Sequence, residues 1–243
     1  VVDDASDPET SRWLRQWQKK TKRAKLITLP ARGGYTLAVK QGLQHSDSPA
    51  FVLLNSDTLV TEGWLDALHS ALRADPAIAM AGPLSNAAAW QSYGPALAED
   101  GSFAWHPTPD EAQRLRLCAA AKAAASDGLI ALPMLHGFCV IADRHAYDSV
   151  GGLDAETYPQ GYGETQDLSL RLAAAGFRLC VAADCIVFHD RAASIPSDRR
   201  EVLSQIGREM LYRAYGALNY LCAEMICIED PALQRIREAI SRA

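Results

Sequence analysis

Three short segments combine acidic or imidazole side chains with the expected ends of strands and helices. In the first, Asn55 and Asp57 directly follow the apolar run at residues 51–54. A carboxylate at the carboxyl end of a strand in an α/β sheet lies where such sheets bind ligands. With a second hard ligand, Asp57 could hold Mg²⁺ or Mn²⁺ against a diphosphate. The same pattern also suits a turn or a helix cap, so this segment alone leaves both interpretations open.

The second segment, residues 161–167, places Glu164 and Asp167 near the start of a predicted helix. Its two glycines allow the backbone to approach a ligand closely. Acidic side chains at a helix start also cap the helix and interact favourably with its dipole. The third segment ends a buried strand with His189. Neutral imidazole is a common metal ligand, although a single histidine at a strand end equally fits a structural role.

The elements that must position these segments alternate between short apolar runs and helical patterns. This alternation predicts βαβ units, and therefore an α/β fold with a mainly parallel sheet. Strands are predicted at 26–29, 51–54, 78–81, 137–142, 179–182 and 186–188. Helices are predicted to start at residue 8 and to cover 34–43, 62–73, 110–126, 145–150 and 167–175. We expect a catalytic domain at 1–196 and a helical C-terminal extension at 197–243.

Composition narrows the classes of protein and partner. The 243 residues are 49% hydrophobic and carry a formal net charge of −5, which argues against a nucleic-acid-binding surface. An anionic nucleotide is still acceptable, because a bound divalent metal supplies positive charge. The six cysteines include no C-x-x-C pair, which favours reduced thiols in a cytoplasmic protein over a zinc knuckle. No apolar run reaches the roughly 18 residues of a membrane span.

The order of the motifs is more specific than any one of them. Along the chain stand DDASD, GGYxxAxxxGL, LLNSDT, HGFCVIADR, GGLD, GYGExxDLSLRLAAAGF and VFHD. This series resembles the family 2 glycosyltransferases, in particular the bacterial enzymes that build O-antigen, capsule or other surface polysaccharide. The resemblance covers about residues 1–200. It implies the GT-A fold, a Rossmann-like and mainly parallel sheet flanked by helices, here followed by a helical C-terminal segment.

The resemblance implies a nucleotide-sugar donor, with UDP, GDP or dTDP as its nucleotide. Four matching positions would lie on the nucleotide, with the first two on the base or ribose: Asp3, Asp4, Gly34 and Ala38. Asn55 and Asp57 match the ends of the D-x-D motif, which makes Asp57 the expected ligand of Mn²⁺ or Mg²⁺. His189 matches a histidine that joins the metal and diphosphate site in many members.

Glu164 and Asp167 match the first and last acids of the family's E-[DE]-x-D motif, and are the expected catalytic residues. The middle acid is the usual catalytic base, and Thr165 occupies its position here. A hydroxyl cannot act as a carboxylate base, so Glu164 becomes the candidate. The strand that precedes the acidic pair in the family, with its P-x-Y-N segment, is absent. The chain also begins without an initiator Met, which suggests a processed chain or part of a longer protein.

Two hypotheses of different classes follow. In the first, the chain is an inverting glycosyltransferase that moves a sugar from its donor to a hydroxyl of a glycan or lipid-linked acceptor. In the second, it is a degenerate, non-catalytic domain that binds a nucleotide, a sugar or a protein partner, as Thr165 and the absent strand would suggest. A third class, a nucleotidyltransferase, would require a basic glycine-rich loop near the N-terminus, and the sequence has none.

The C-terminal segment leaves the choice of partner open. Apolar residues recur there at near-helical spacing, at Ile206, Met210, Leu211, Tyr215, Leu218, Leu221 and Met225. Such a stripe predicts packing on the catalytic domain or on a second subunit of a homo-oligomer. The alternative is a peripheral helix on the inner face of the membrane, close to a lipid-linked acceptor. Acidic residues interrupt the basic face, which favours packing.

Overall fold

The computed structural model describes residues 1–125, 128–190 and 197–242. In chain order the strands are β1 (Val2–Asp3), β2 (Ile27–Thr28), β3 (Ala50–Leu54), β4 (Thr58–Leu59), β5 (Ile78–Leu84), β6 (Leu129–Ala131), β7 (Cys139–Asp143), β8 (Arg178–Ile186) and β9 (Phe188–His189). The helices are α1 (Pro8–Lys20), α2 (Tyr35–Leu43), α3 (Trp64–Arg73), α4 (Glu111–Ala124), α5 (Arg144–Ser149), α6 (Glu164–Ala174), α7 (Ser197–Tyr215), α8 (Ala217–Ile228) and α9 (Pro231–Ser241).

The predicted α/β class is confirmed, but the sheet is mixed and not mainly parallel. Within the described ranges the main sheet has five strands in the order β3-β7-β5-β8-β6. Only β5 and β8 pair in parallel there, while β7 runs antiparallel to β3 and β5, and β6 runs antiparallel to β8. An alternation of strands and helices gives parallel pairing only when each connection carries the chain back to the end of the sheet at which the preceding strand began. The segments before β6 and β7 instead deliver the chain to the edge where β5 and β3 end.

Two small two-stranded sheets extend this framework. β1 and β2 pair in parallel at the N-terminus. β4 pairs antiparallel with β9, so that Thr58 lies opposite His189. This second pairing joins the loop after β3 to the end of β9, and it therefore controls where the two strand-end motifs meet.

Local signals explain most helix boundaries. Asp7 caps α1 by accepting hydrogen bonds from the N–H groups of Glu9 and Thr10, and Pro8 occupies the first turn, as the sequence predicts. Helix α6 begins at Glu164, earlier than the predicted residue 167. The reason is Gly163, whose φ of 135° ends the preceding loop and lets the helix start at once. This shift places Glu164 in the first turn.

The C-terminal helices share the main hydrophobic core with the sheet, which confirms packing on the rest of the chain but not through the whole predicted stripe. Met210, Leu211 and Tyr215 pack there, whereas four predicted members are exposed: Ile206, Leu218, Leu221 and Met225. The segment divides at Gly216 into two helices, so one continuous stripe does not stay on one face. Their buried members include Leu211, Tyr220, Cys227, Ile228, Leu233, Ile236 and Ile240. The predicted boundary after residue 196 and the predicted contacts with a second subunit or a membrane surface stay predictions. Among the residues that the structure describes, no helix has the length and apolar character needed to cross a membrane.

The buried guanidinium of Arg237 connects α9 to the loop after β5 through hydrogen bonds. The Arg237 guanidinium, 6% exposed, donates to the carbonyls of Trp90 at 2.6 Å, Ser92 at 3.1 Å and Ile228 at 3.1 Å. Burial lowers the pKa of Arg237, because the charged form loses its water. The three hydrogen bonds offset that loss. The Ile228 carbonyl also accepts from Gln234 Nε2, so the carbonyls that depend on the guanidinium are those of Trp90 and Ser92.

We predict that Arg237→Ala lowers the free energy of unfolding by about 3 kcal/mol or more, since it leaves buried carbonyls without a donor. Arg242→Ala, which removes only an exposed pair with Glu238, should cost less than about 1 kcal/mol. Urea denaturation of both variants measures the difference. Equal losses would contradict the structural role of Arg237.

Candidate functional site

A cavity of about 860 Å³ opens at the edge of the sheet where β3 ends and β7 begins. This volume lies within the range of small-molecule sites. Five of the predicted site residues line it: Ala38, Asn55, Asp57, Glu164 and His189. Four others do not: Asp3, Asp4, Gly34 and Asp167. The cavity therefore brings together the D-x-D segment, the histidine and the first acid of the helix motif.

Asp57 and His189 meet as the sequence predicts. His189 Nε2 lies 3.3 Å from Asp57 Oδ1, although the two residues are distant in the chain. The β4–β9 pairing produces this contact, and the Asp190 N–H donates to the Asp57 carbonyl at 2.8 Å. The predicted convergence of the two side chains on one cleft is confirmed.

The surroundings of His189 fix which ring nitrogen faces Asp57. Nδ1 lies 3.0 Å from the Ala87 carbonyl oxygen, which can only accept, so Nδ1 carries the hydrogen. Nε2 therefore faces Asp57, and in the neutral ring it would present its lone pair there. Asn86 holds the backbone in place, because its Oδ1 accepts from the His189 N–H at 2.8 Å and its Nδ2 donates to the His189 carbonyl at 3.1 Å. The ring also stacks on Phe138.

This donor set fits a divalent cation. A neutral imidazole nitrogen and a carboxylate oxygen both present lone pairs to the same point, which favours a cation or a proton between them. Imidazole and carboxylate are ligands that Mn²⁺ accepts, and Mg²⁺ binds through one or two carboxylates together with substrate phosphates. Within the described part of the chain, no three His, Cys, Asp or Glu side chains gather to form a complete protein cage. Further ligands would have to come from a diphosphate or from water.

The charge state of Asp57 agrees with this assignment. Burial favours a higher pKa, but the hydrogen bond and the charge that His189 supplies when Nε2 carries a proton, with a smaller contribution from Arg200, hold the pKa of Asp57 below its ordinary value. A bound cation would take the place of that proton. Asp57 is therefore ionised at neutral pH and can act as an anionic ligand.

Glu164 faces the cavity from the first turn of α6. Its Oε1 accepts from the Thr165 hydroxyl at 2.8 Å and its Oε2 accepts from the Gly163 N–H at 3.1 Å. The residue is 6% exposed, and burial raises the pKa of its carboxyl. Thr165 itself does not line the cavity, because its hydroxyl packs beneath Gly137, where an added Cβ would collide with it.

Asp167, expected to be catalytic, lies outside the cavity. Its Oδ2 accepts from Arg171 Nε at 2.9 Å and Nη2 at 2.6 Å, and its Oδ1 accepts from the Tyr215 hydroxyl at 2.6 Å. Arg171 also donates to the carbonyls of Val150 and Gly152. This network ties α6 to the loop before it and to α7, so Asp167 positions the helix that carries Glu164.

The acidic pair at the end of β1 also organises backbone and does not face the cavity. Asp3 accepts from the Ser6 N–H and the Ser11 hydroxyl. Asp4 accepts from the N–H groups of Gly33 at 2.7 Å and Gly34 at 2.9 Å. Gly34 has a φ of 89° and lies too close to the Pro159 carbonyl for any Cβ, so this turn requires glycine. In this structure Asp3 stabilises the turn before α1, whereas Asp4 and Gly34 shape the turn before α2.

The sequence analysis missed the contribution of α7 and α8 to the cavity wall. Arg200, Ser204 and Arg208 line it from α7, and Glu224 lines it from α8. Arg208 Nη2 pairs with Glu224 Oε1 at 2.5 Å. The four-residue spacing of the α7 side chains was visible in the sequence, but only the packing of the segment shows which face turns inward.

Solved structures identify the class of fold. The chain aligns over its whole length with the mannosyltransferase PcManGT from Pyrobaculum calidifontis, determined with GDP-Man and Mn²⁺ (TM-score 0.63, 19% identity, 64% of that chain). It also aligns over 99% of its length with GalNAc-T7, determined with UDP, GalNAc and Mn²⁺ (TM-score 0.59, 16% identity, 48% of that chain). At these identities the likeness establishes the fold, and the predicted GT-A architecture is confirmed.

The family follows from the sequence profile. Residues 1–147 match Glycosyl transferase family 2, so the chain belongs to that family. Uncharacterized proteins of Mycobacterium tuberculosis (Rv1525) and Mycobacterium bovis (Mb1552) are each 27% identical over 158 residues, which is 64% of this chain and 50% of each relative. The chain thus spans about half the length of the curated relatives it matches. The family match ends before Glu164, His189 and the α7 residues of the cavity.

The raised pKa of Glu164 predicts a pH-dependent stability difference. Because the folded state holds the Glu164 proton more tightly than the unfolded chain, the protein loses stability as pH rises from about 4.3 to the folded pKa. Glu164→Gln has no such titration. The unfolding temperature of the variant should therefore rise relative to the native protein between pH 4 and pH 8, as measured by thermal unfolding.

The matched control is Glu209→Gln, whose side chain is exposed on α7. It should show no comparable change in relative unfolding temperature over this pH range. A Glu164→Gln difference that stays constant, or falls with pH, would mean that the carboxyl is not held in its neutral form by burial.

Proposed function

We propose that this chain is an inverting glycosyltransferase that moves a sugar from a nucleotide-diphosphate sugar to a hydroxyl of a glycan or lipid-linked acceptor in surface polysaccharide synthesis. The observation that carries the proposal is the set of side chains that line one cavity. A carboxylate–imidazole pair suited to a metal-bound diphosphate, Asp57 with His189, shares that cavity with Glu164, a buried carboxyl suited to taking a proton.

Binding of the nucleotide-sugar donor is assigned to Asp57 and His189, with Asn55 beside them in the cavity lining. Asp57 and His189 would hold Mn²⁺ or Mg²⁺, which when bound neutralises charge on the leaving diphosphate. The Ala87 and Asn86 contacts keep the His189 nitrogen aimed at that position, so the binding site needs little rearrangement. The relatives of similar fold bind GDP-Man or UDP together with Mn²⁺, which supports this class of donor without selecting the base.

The acceptor side rests on Glu164. An acceptor hydroxyl forms its bond to the anomeric carbon as the bond to the diphosphate oxygen breaks on the opposite face, and Glu164 takes the hydroxyl proton. A carboxyl with a raised pKa is a stronger base than an ordinary glutamate, and its pKa lies nearer the working pH. The Thr165 hydroxyl and the Gly163 N–H hold the carboxylate in one orientation.

The inward orientation of Glu164 favours an active enzyme over a degenerate binding domain. Thr165 occupies the position of the family's middle acid, but its hydroxyl lies against Gly137 and donates to Glu164 Oε1. Glu164 therefore provides a cavity carboxylate even though the usual position lacks one. A non-catalytic domain would bind nucleotide and metal without turnover, so one assay separates the two functions.

The test of catalysis is the release of nucleoside diphosphate from UDP-, GDP- and dTDP-sugars in the presence of Mn²⁺, with and without acceptor glycosides. Glu164→Gln should slow release by about 10²–10⁴-fold, because the proton then has no carboxylate to receive it. Thr165→Val, which removes one hydrogen bond to Glu164 but keeps the carboxylate, should cost about tenfold or less.

Nucleotide binding should survive both substitutions. Turnover by Glu164→Gln at the native rate would remove Glu164 from the role of base. Binding of a nucleoside diphosphate with no turnover of any donor by the native chain would favour the non-catalytic alternative.

The metal site has its own test by thermal shift. A nucleoside diphosphate at 100 times its dissociation constant stabilises the native state by about 2.7 kcal/mol. We expect Mn²⁺ to strengthen this stabilisation in the native protein. Asp57→Ala should abolish the Mn²⁺-dependent part, whereas Asp47→Ala, an exposed change in the loop before β3, should preserve it. A full Mn²⁺ effect in Asp57→Ala would exclude Asp57 as a metal ligand.

A further inference from the structure

Helix α7 presents one polar stripe to the cavity. Arg200, Ser204 and Arg208 are spaced four residues apart, so they lie on the same face of the helix, and all three line the cavity. On the outer side of the same helix Arg213 is exposed and does not line the cavity. The polar side chains that line the cavity therefore lie on one face of α7, and they are not simply part of a helix that is basic all round.

Contacts within the protein fix the Arg208 side chain in this wall of the cavity. Its Nη2 pairs with Glu224 at 2.5 Å, and its Nη1 donates to the Tyr212 hydroxyl at 3.0 Å. Its Cζ lies 5.9 Å from the ring centres of both Tyr212 and Tyr220. A guanidinium fixed in this way loses little additional conformational freedom when it binds a ligand.

Arg200 brings positive charge to the opposite end of the stripe. Arg200 lines the same cavity as Asp57 and His189, so its charge lies on the wall of the space that the pair faces. Arg200 also lies in the first turn of α7, where the helix dipole adds partial positive charge. Both effects favour an anion beside Asp57 and His189.

We propose that Arg200, Ser204 and Arg208 form a phosphate-binding subsite of the cavity that takes a diphosphate without needing the metal. The forked guanidinium matches the geometry of phosphate oxygens, and the Ser204 hydroxyl supplies a neutral donor between the two charges. The proposal rests on the proposed function in assigning this diphosphate to a transferase substrate. It extends that function by giving the C-terminal segment a direct part in substrate binding.

The same chemistry could come from the donor diphosphate or from a phosphate-linked acceptor, and inorganic pyrophosphate is the probe that both share. We would titrate the full chain with pyrophosphate by calorimetry in EDTA, and then again with UDP or GDP at saturation. The native chain should bind pyrophosphate without metal. Competition by the nucleotide would assign the subsite to the donor, whereas simultaneous binding would assign it to the acceptor.

Arg200→Gln should weaken pyrophosphate binding about 10- to 100-fold, the range for a hydrogen bond to a charged group. Ser204→Ala should weaken it about 2- to 10-fold. Arg213→Gln, on the outer side of α7, is the matched control and should bind as the native chain does. We leave Arg208 unchanged, because its loss would also strand the buried Glu224 carboxylate.

Equal binding by Arg200→Gln and Arg213→Gln would overturn the subsite, as would pyrophosphate binding that disappears entirely in EDTA. The outcome does not depend on turnover. If the native chain binds pyrophosphate through Arg200 but transfers no sugar, the subsite stands and the proposed function fails. If it transfers sugar while the two arginine variants bind alike, the function stands and the subsite fails.

Discussion

The site depends on the pairing of β4 with β9. These two short strands bring the residues after β3 against the end of β9, where Asp57 Oδ1 lies 3.3 Å from His189 Nε2. Asn86 reinforces the arrangement by bonding both backbone groups of His189, and the Ala87 carbonyl fixes its tautomer. The loop after β5 is thus part of the proposed metal site, although it contributes no ligand. A change in that loop would act on metal binding through the histidine.

Neighbouring groups give the two buried carboxyls opposite charge preferences on the two sides of the cavity. Asp57 has His189 and Arg200 to stabilise its negative charge, and its pKa falls despite burial. Glu164 has only hydrogen bonds from Thr165 and nearby N–H groups, and its pKa rises. One carboxylate is therefore suited to stay ionised as a ligand, and the other to accept a proton. The raised pKa of Glu164 makes its ionised form a cost to stability, and perturbed carboxyls of this kind cluster at functional sites.

The sequence was informative where chain direction alone decides position. Asp57 and His189 each follow an apolar strand, and strand ends that bind ligands meet at one edge of an α/β sheet. It was uninformative where a tertiary partner decides which way a side chain turns. Asp167 is bound by Tyr215 from α7, and Asp4 is bound by the turn at Gly33 and Gly34, so both serve backbone and packing. The predicted strand directions were wrong for the same reason, since a pattern of strands and helices does not say at which end of the sheet a connection arrives.

The C-terminal segment supports the site directly through hydrogen bonds to the elements that form it. Arg237 bonds the carbonyls of Trp90 and Ser92 in the loop after β5, and Asn86 of that loop holds His189. Tyr215 bonds Asp167, which positions the helix that carries Glu164. Helices α7 and α9 therefore support both sides of the cavity through contacts that lie outside the family match at residues 1–147. Relatives that share the first 147 residues but differ in these helices would keep the fold and the strand-end aspartate, yet present a different cavity wall to their substrates.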